Sequence, residues 1–137
     1  MLTASECRMR YGECTLERNM IMWDVPSELE HGCIPKRIYC NKDMIVPLTK
    51  AFSNIISRGL TSQLKTWDGC FNIRKKRGAT SQSLHSWGCA IDINAAWNGF
   101  GKKPTMSVEL VKCFTDAGLD WGGFWQKPDG MHFQLRG

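Results

Sequence analysis

Three side chains in this sequence stand at spacings that suit metal chemistry. His85 and Asp92 lie within Ser83–Asn94 (SLHSWGCAIDIN), and His132 lies in MHFQL, residues 131–135. Imidazole nitrogen and carboxylate oxygen are the usual ligands of catalytic zinc, and three protein ligands leave a fourth position for water. Zn2+ lowers the pKa of that water to about 7, so a hydroxide nucleophile exists at neutral pH. A single carboxylate ligand leaves a net positive site, which favours a developing oxyanion. A base must also take the proton of the water. Asp129, in DGMH, is the candidate, with Gly130 allowing the bend that brings it beside the nucleophile.

Taken singly, each residue has a plainer reading. A lone histidine is more often a surface or satisfied buried residue, and Asp92 beside Asn94 suits a strand end. His31, in LEHGC, has no patterned neighbours and reads as a surface residue. The conjunction of His85, Asp92, Asp129 and His132 carries the argument.

The elements around them must bring these residues together. CAIDIN, residues 89–94, alternates: Cys89, Ile91 and Ile93 share one face, and Ala90, Asp92 and Asn94 the other. MHFQL alternates likewise, with Met131, Phe133 and Leu135 opposite His132 and Gln134. If the two strands are neighbours, Asp92 and His132 project from one side, and His85 returns over them from a loop that Gly88 lets turn tightly. Two helices are expected. One covers PLTKAFSNIISRGL, residues 47–60, with Leu48, Ala51, Phe52, Ile55 and Ile56 on one face, Pro47 at the start and Gly59 past the end. The other covers SVELVKCFTDAGL, residues 107–119, capped by Ser107 and closed by Gly118. Short strands are expected near Arg37–Cys40 and over SQLKTW, residues 62–67, with a basic loop over residues 71–83 and a turn or bulge at DWGGFW, residues 120–125. Mixed elements in this order predict an α+β domain with a small, largely antiparallel sheet and flanking helices. Residues 1–20 read as an irregular or short helical lead-in, and residues 21–137 as one domain.

The chain has 137 residues, enough to bury a core without disulfides. Its seven cysteines, an odd number, and the lack of an apolar leader at MLTASECRMRYGEC suggest synthesis in a reducing cytoplasm with mostly free thiols. Cys7/Cys14 and Cys33/Cys40 are spaced more widely than structural zinc pairs. The net charge is +5, with a run at Arg74, Lys75, Lys76 and Arg77. Such a balance suits a polyanionic surface such as nucleic acid, anionic lipid or wall polymer, and the run alone reads as a solvated loop. A nucleic-acid binder would leave the His/Asp set unexplained.

Ser83-x-His85-x-x-Gly88-x-Ala90-x-Asp92, followed by Asp129-x-x-His132, resembles the signature of the D-alanyl-D-alanine carboxypeptidase family. These zinc peptidases include VanY- and VanX-type enzymes and the L-alanyl-D-glutamate endolysins of tailed phages, and share a fold with the hedgehog signalling domain. TWDGCFNIRKKRG, residues 66–78, is similar to the segment upstream of that signature in compact members, and the resemblance covers roughly residues 20–137. It implies that His85, Asp92 and His132 bind one zinc ion. It implies that Asp129 is the general base and acid, that Arg74 holds the substrate carbonyl or oxyanion, and that Ser83 hydrogen-bonds substrate. The interval from Arg74 to Ser83 is shorter than in several relatives, which leaves Arg77 as an alternative. Trp87, inside the signature, and Trp121 and Trp125 are expected to wall a cleft for a peptide stem, core packing being their default role. The implied partner is bacterial peptidoglycan, cut at L-Ala-D-Glu or D-Ala-D-Ala by a monomeric phage endolysin that is made in the host cytoplasm and acts on the wall after release. No nucleic-acid partner and no stable membrane insertion are expected. A non-catalytic zinc-containing binding domain of the same fold is the competing reading.

Overall fold

Alternating apolar residues in the two strand segments make them neighbours. In the computed structural model, which describes residues 1–137, β4 (Ala90–Ile93) pairs antiparallel with β6 (His132–Leu135). The register sets Ala90 opposite Gln134, Ile91 opposite Phe133 and Asp92 opposite His132. Residues directly opposite one another share a face, so Asp92 and His132 emerge together. The preceding elements are α1 (Ala4–Tyr11), β1 (Met20–Asp24), β2 (Arg37–Asn41), α2 (Ile45–Ser57) and β3 (Trp67–Gly69). Between β4 and β6 come α3 (Val108–Thr115) and β5 (Leu119–Trp121). The main sheet runs β3-β4-β6-β5, all antiparallel, and β1 and β2 form a separate hairpin. The architecture is α+β, as the sequence pattern predicts.

One face of the main sheet packs on α2 and α3. Phe52, Ile55, Phe114, Ile91, Ile93 and Phe133 are all fully buried there, and Phe114 stacks on Phe133 with ring centroids 4.4 Å apart. Each such side chain contributes about 1.5–3 kcal/mol by leaving water. Helix α2 begins two residues earlier than its Pro47 suggests, because Asn41 caps a 3-10 turn, Lys42–Met44, that runs straight into it. Pro47 then lies in the first turn, where its missing N–H has no intrahelical role. Ser107 caps α3, its hydroxyl accepting from the Leu110 amide at 3.1 Å.

The other face is covered as well. Leu2, Ala4, Cys7 and Tyr11 pack against Leu84, Trp87, Cys89 and Ala90 in a second apolar cluster. Cys89 therefore joins this cluster instead of facing the same way as Ile91 and Ile93. Met131 also departs from the alternation: it precedes β6 and lines a cleft, outside both apolar clusters. SQLKTW is not a strand. Its Lys65 and Thr66 amides donate to the Asn94 side chain at 2.8 and 3.1 Å, and the strand begins only at Trp67. DWGGFW opens as the end of β5 before turning through Gly122–Phe124. No helix is long and apolar enough to cross a membrane.

Candidate metal centre

His85 reaches the sheet face from a 3-10 turn, Leu84–Trp87. Ser83 caps that turn, its hydroxyl accepting from the His85 amide at 3.3 Å, and Gly88 ends it at φ +66°. A Cβ on Gly88 would lie 2.7 Å from the Asn41 amide nitrogen, so only glycine fits. His85, Asp92 and His132 thereby converge, with one ligand atom from each lying within 4.8 Å of the others. His85 Nε2 is 3.2 Å from Asp92 Oδ2, and His132 Nδ1 is 3.6 Å from Asp92 Oδ1. His85 and His132 are 2% and 4% exposed. No cysteine joins a cluster of potential ligands, and all seven are free thiols.

The hydrogen-bond partners assign the tautomers. His85 Nδ1 lies 2.6 Å from the Cys70 carbonyl oxygen, which only accepts, so Nδ1 carries the proton. Gln134 donates its amide to the Leu2 carbonyl at 3.1 Å, which turns its own oxygen to His132 Nε2 at 2.9 Å. His132 Nε2 therefore donates. The two remaining nitrogens, His85 Nε2 and His132 Nδ1, both aim lone pairs at a carboxylate. His85 Nε2 and Asp92 Oδ1 are buried without a hydrogen-bond partner. Three electron-rich atoms this close could hold a cation among them, and two imidazoles with one carboxylate match a catalytic zinc donor set. Burial acts to raise the Asp92 pKa, but the two histidines beside it, His132 and His85, outweigh burial and hold the carboxyl well below the ordinary range. It is a carboxylate at any working pH.

Asp129 lies on the rim of the same cleft, of about 280 Å³, and its Oδ1 is buried and unpartnered. Burial raises its pKa above the ordinary 3.8. Its amide donates to the Gly122 carbonyl at 2.9 Å, and its carbonyl accepts from the His132 amide at 3.1 Å. Gly122 makes this packing possible: a Cβ there would approach the Asp129 carbonyl oxygen to 2.7 Å and the His132 Cβ to 3.3 Å. Gly130 lies in the turn that the His132 amide and Asp129 carbonyl close, as expected, but its φ is not positive, and glycine serves there for close packing against Asn98 and Pro104.

Arg74 Nη2 is 3.9 Å from Asp92 Oδ2. The Ser86 hydroxyl fixes the Arg74 main chain, donating to its carbonyl at 3.0 Å and accepting from its amide at 3.1 Å. Arg77, the alternative arginine, is instead at the cleft mouth over Phe100. Ser83 and Trp125 line the cleft, and the Trp125 ring centroid is 5.2 Å from that of His132. Trp87 does not wall the cleft. It is 3% exposed in the second apolar cluster, and its indole N–H donates to the Gly12 carbonyl at 2.9 Å. Trp121 donates to the Gly130 carbonyl at 2.9 Å and stacks on Phe133, outside the lining. Cys70, Ser86 and Gln134 are supporting residues that the sequence reading missed. Only Gln134 had a signal, its place on the same strand face as His132.

A family profile described as D-alanyl-D-alanine carboxypeptidase matches residues 77–135. The matched span contains His85, Asp92, Asp129 and His132 and begins beyond Arg74. Together with the antiparallel sheet, the match gives the hedgehog/DD-peptidase fold. No curated protein and no solved structure matches the chain.

Proposed function

We propose that this chain is a zinc peptidase that cleaves the stem peptides of bacterial peptidoglycan, and that it serves as a phage endolysin. The observation that carries the reading is the pairing of a metal donor set, of which Asp92 and His132 line the cleft, with an unpartnered carboxylate in that cleft, Asp129. The match to the D-alanyl-D-alanine carboxypeptidase family supports the wall as substrate. The endolysin role, with synthesis in the cytoplasm and release to the wall, rests on the sequence resemblance to compact phage enzymes.

His85 through Nε2, His132 through Nδ1 and Asp92 through its carboxylate would hold the zinc ion. When bound, zinc supplies Lewis acidity that ionises water near neutral pH. Asp129 takes the proton of the attacking water and passes it to the departing amine as the C–N bond breaks. Its raised pKa suits both halves of that transfer. Arg74 presents a permanently charged donor fork to the developing oxyanion. Ser83 offers its hydroxyl to substrate beside it, and Trp125 forms an aromatic wall.

Digestion of purified Gram-negative peptidoglycan tests the reading, with and without a chelator and zinc add-back, followed by mass spectrometry. New amine termini at D-Glu identify an L-Ala-D-Glu endopeptidase, and loss of terminal D-Ala a carboxypeptidase. Absence of product with zinc bound would make this a non-catalytic metal-containing binding domain.

A further inference from the structure

A second groove opens where β4 ends, and the metal chemistry makes no use of it. It measures about 320 Å³, and Gln63, Lys65, Asn94, Trp97 and Thr105 are in its lining. One strand joins it to the metal cleft. Asp92 lines the cleft, and Asn94, two residues on and about 7 Å along an extended chain, lines the groove.

Trp97 is the most exposed of the six tryptophans, at 45%. Two buried asparagines hold its turn. Asn94, at a left-handed φ of +51°, accepts from the Lys65 and Thr66 amides and donates to the Gln63 carbonyl at 2.9 Å. Asn98 donates to the Asn94 carbonyl at 3.1 Å and accepts from the Thr105 amide at 2.8 Å. The Thr105 hydroxyl donates to the Trp97 carbonyl at 3.1 Å. The main chain beneath the indole is thus fixed before any ligand arrives, which lowers the ordering cost of binding.

Two donors stand beside the ring. Lys65 Nζ lies 4.5 Å from its centroid and takes part in no ion pair. The Ser107 hydroxyl donates to Gln63 Oε1, which leaves the Gln63 amide nitrogen as a free donor. No carboxylate lines the groove. The negative face of an indole attracts the polarised C–H groups on the flat side of a pyranose, and the two donors suit hydroxyl and acetamido oxygens at its edge. A single cation among neutral groups suits such an acceptor-rich, uncharged ligand better than a polyanion.

We infer that Gln63, Lys65 and Trp97 form a saccharide subsite that binds an N-acetylhexosamine ring of the wall glycan. The choice of that polymer rests on the peptidase reading. The glycan is joined covalently to the first residue of the stem peptide, so a sugar held here tethers the stem beside the metal cleft.

The test uses the zinc-loaded full chain and tetra-N-acetylchitotetraose, with maltotetraose as a control of equal length that has no acetamido groups. In two-dimensional NMR the acetylated sugar should give saturable shifts at Gln63, Lys65 and the Trp97 indole, with an affinity at least about tenfold above that for maltotetraose. Trp97→Ala should weaken binding at least about tenfold, and Lys65→Ala, which keeps the ring, by a smaller factor. Zinc content and thermal midpoint report whether each variant is folded. On a stem peptide that the chain cuts, kcat/KM should be at least about tenfold higher with the disaccharide attached than without it, and Trp97→Ala should bring the two within about threefold. Absence of saturable shifts at the three residues, shifts confined to the metal cleft, or undiminished binding in Trp97→Ala would overturn the subsite. Equal affinity for the two sugars would overturn the acetamido assignment. Trp97-dependent sugar binding by a chain that cuts no peptidoglycan would retain the subsite and remove the peptidase. Wall cleavage without sugar binding would do the reverse.

Discussion

Gln134→Met isolates the support behind one candidate metal ligand, His132. Gln134 is 2% exposed and bridges the Leu2 carbonyl to His132 Nε2 through bonds of 3.1 and 2.9 Å. Methionine has a similar volume and keeps neither bond. His132 then loses the acceptor that fixes its tautomer and ring plane, and such losses weaken metal binding by about 10- to 100-fold. The Leu2 carbonyl also loses its donor in a buried position, which costs about 1–3 kcal/mol of stability. Gln134→Glu separates the two effects. Its carboxylate still accepts from His132, but it donates nothing to Leu2. Zinc affinity, measured by competition with a chromophoric chelator, should fall in the methionine variant and stay within about threefold in the glutamate variant. Urea melts in the presence of chelator should show both variants destabilised. A methionine variant that binds zinc as tightly as the wild type would refute the role of Gln134 as a support for His132. Equal losses of affinity in both variants would reduce its role to packing.

Asp129→Asn should keep zinc and lower kcat/KM by at least about 100-fold, the contribution of a general base; undiminished turnover would remove Asp129 from the mechanism. The pH profile follows from the sign of its shift. Burial raises the Asp129 pKa above 3.8, and the base works only when ionised, so kcat/KM should fall on acidification with a midpoint above 3.8; in Asp129→Asn that limb should vanish. Gly122→Ala places a Cβ 2.7 Å from the Asp129 carbonyl oxygen and 3.3 Å from the His132 Cβ. It should lower both zinc affinity and turnover while circular dichroism shows the fold retained, and an unaffected variant would show that the loop yields freely. Trp87→Phe removes the indole donor to the Gly12 carbonyl and should cost about 1–3 kcal/mol in a melt without changing KM; a raised KM would return Trp87 to the substrate cleft.

The parts of the site that the sequence displayed share one physical feature, a strict period of two in strands that pair. Asp92 and His132 each alternate with buried apolar residues, so their register follows once those residues seek the same core. His85 was legible for a different reason: Gly88 must follow it closely, because the chain turns back at a positive φ where Asn41 leaves no room for a Cβ. Trp87 misled because aromatic content says nothing about direction. Its place in a turn capped at both ends points it at the N-terminal segment, away from the cleft. SQLKTW misled because a side chain far along the sequence, Asn94, satisfies the amides that a strand would have paired.

The supporting contacts stayed hidden for a related reason. A backbone carbonyl, such as that of Cys70 on His85, carries no residue-type signature, so composition and spacing cannot reveal it. Gln134 did stand on the right face, but its purpose appears only with the partner that orients its amide, and that partner is the carbonyl of Leu2. Residues 1–20 read as a lead-in because their polar pattern lacks a clear period, and α1 indeed buries only Ala4, Cys7 and Tyr11. Yet that segment covers the Ala90 and Gln134 side of the sheet and holds the amide that fixes His132. On that face of β4 and β6 the cleft is lined by Asp92, His132 and Gln134. A polar strand face looks solvent-exposed in sequence. Here it is polar because one end carries the candidate cation site and the other binds the chain's own first residues.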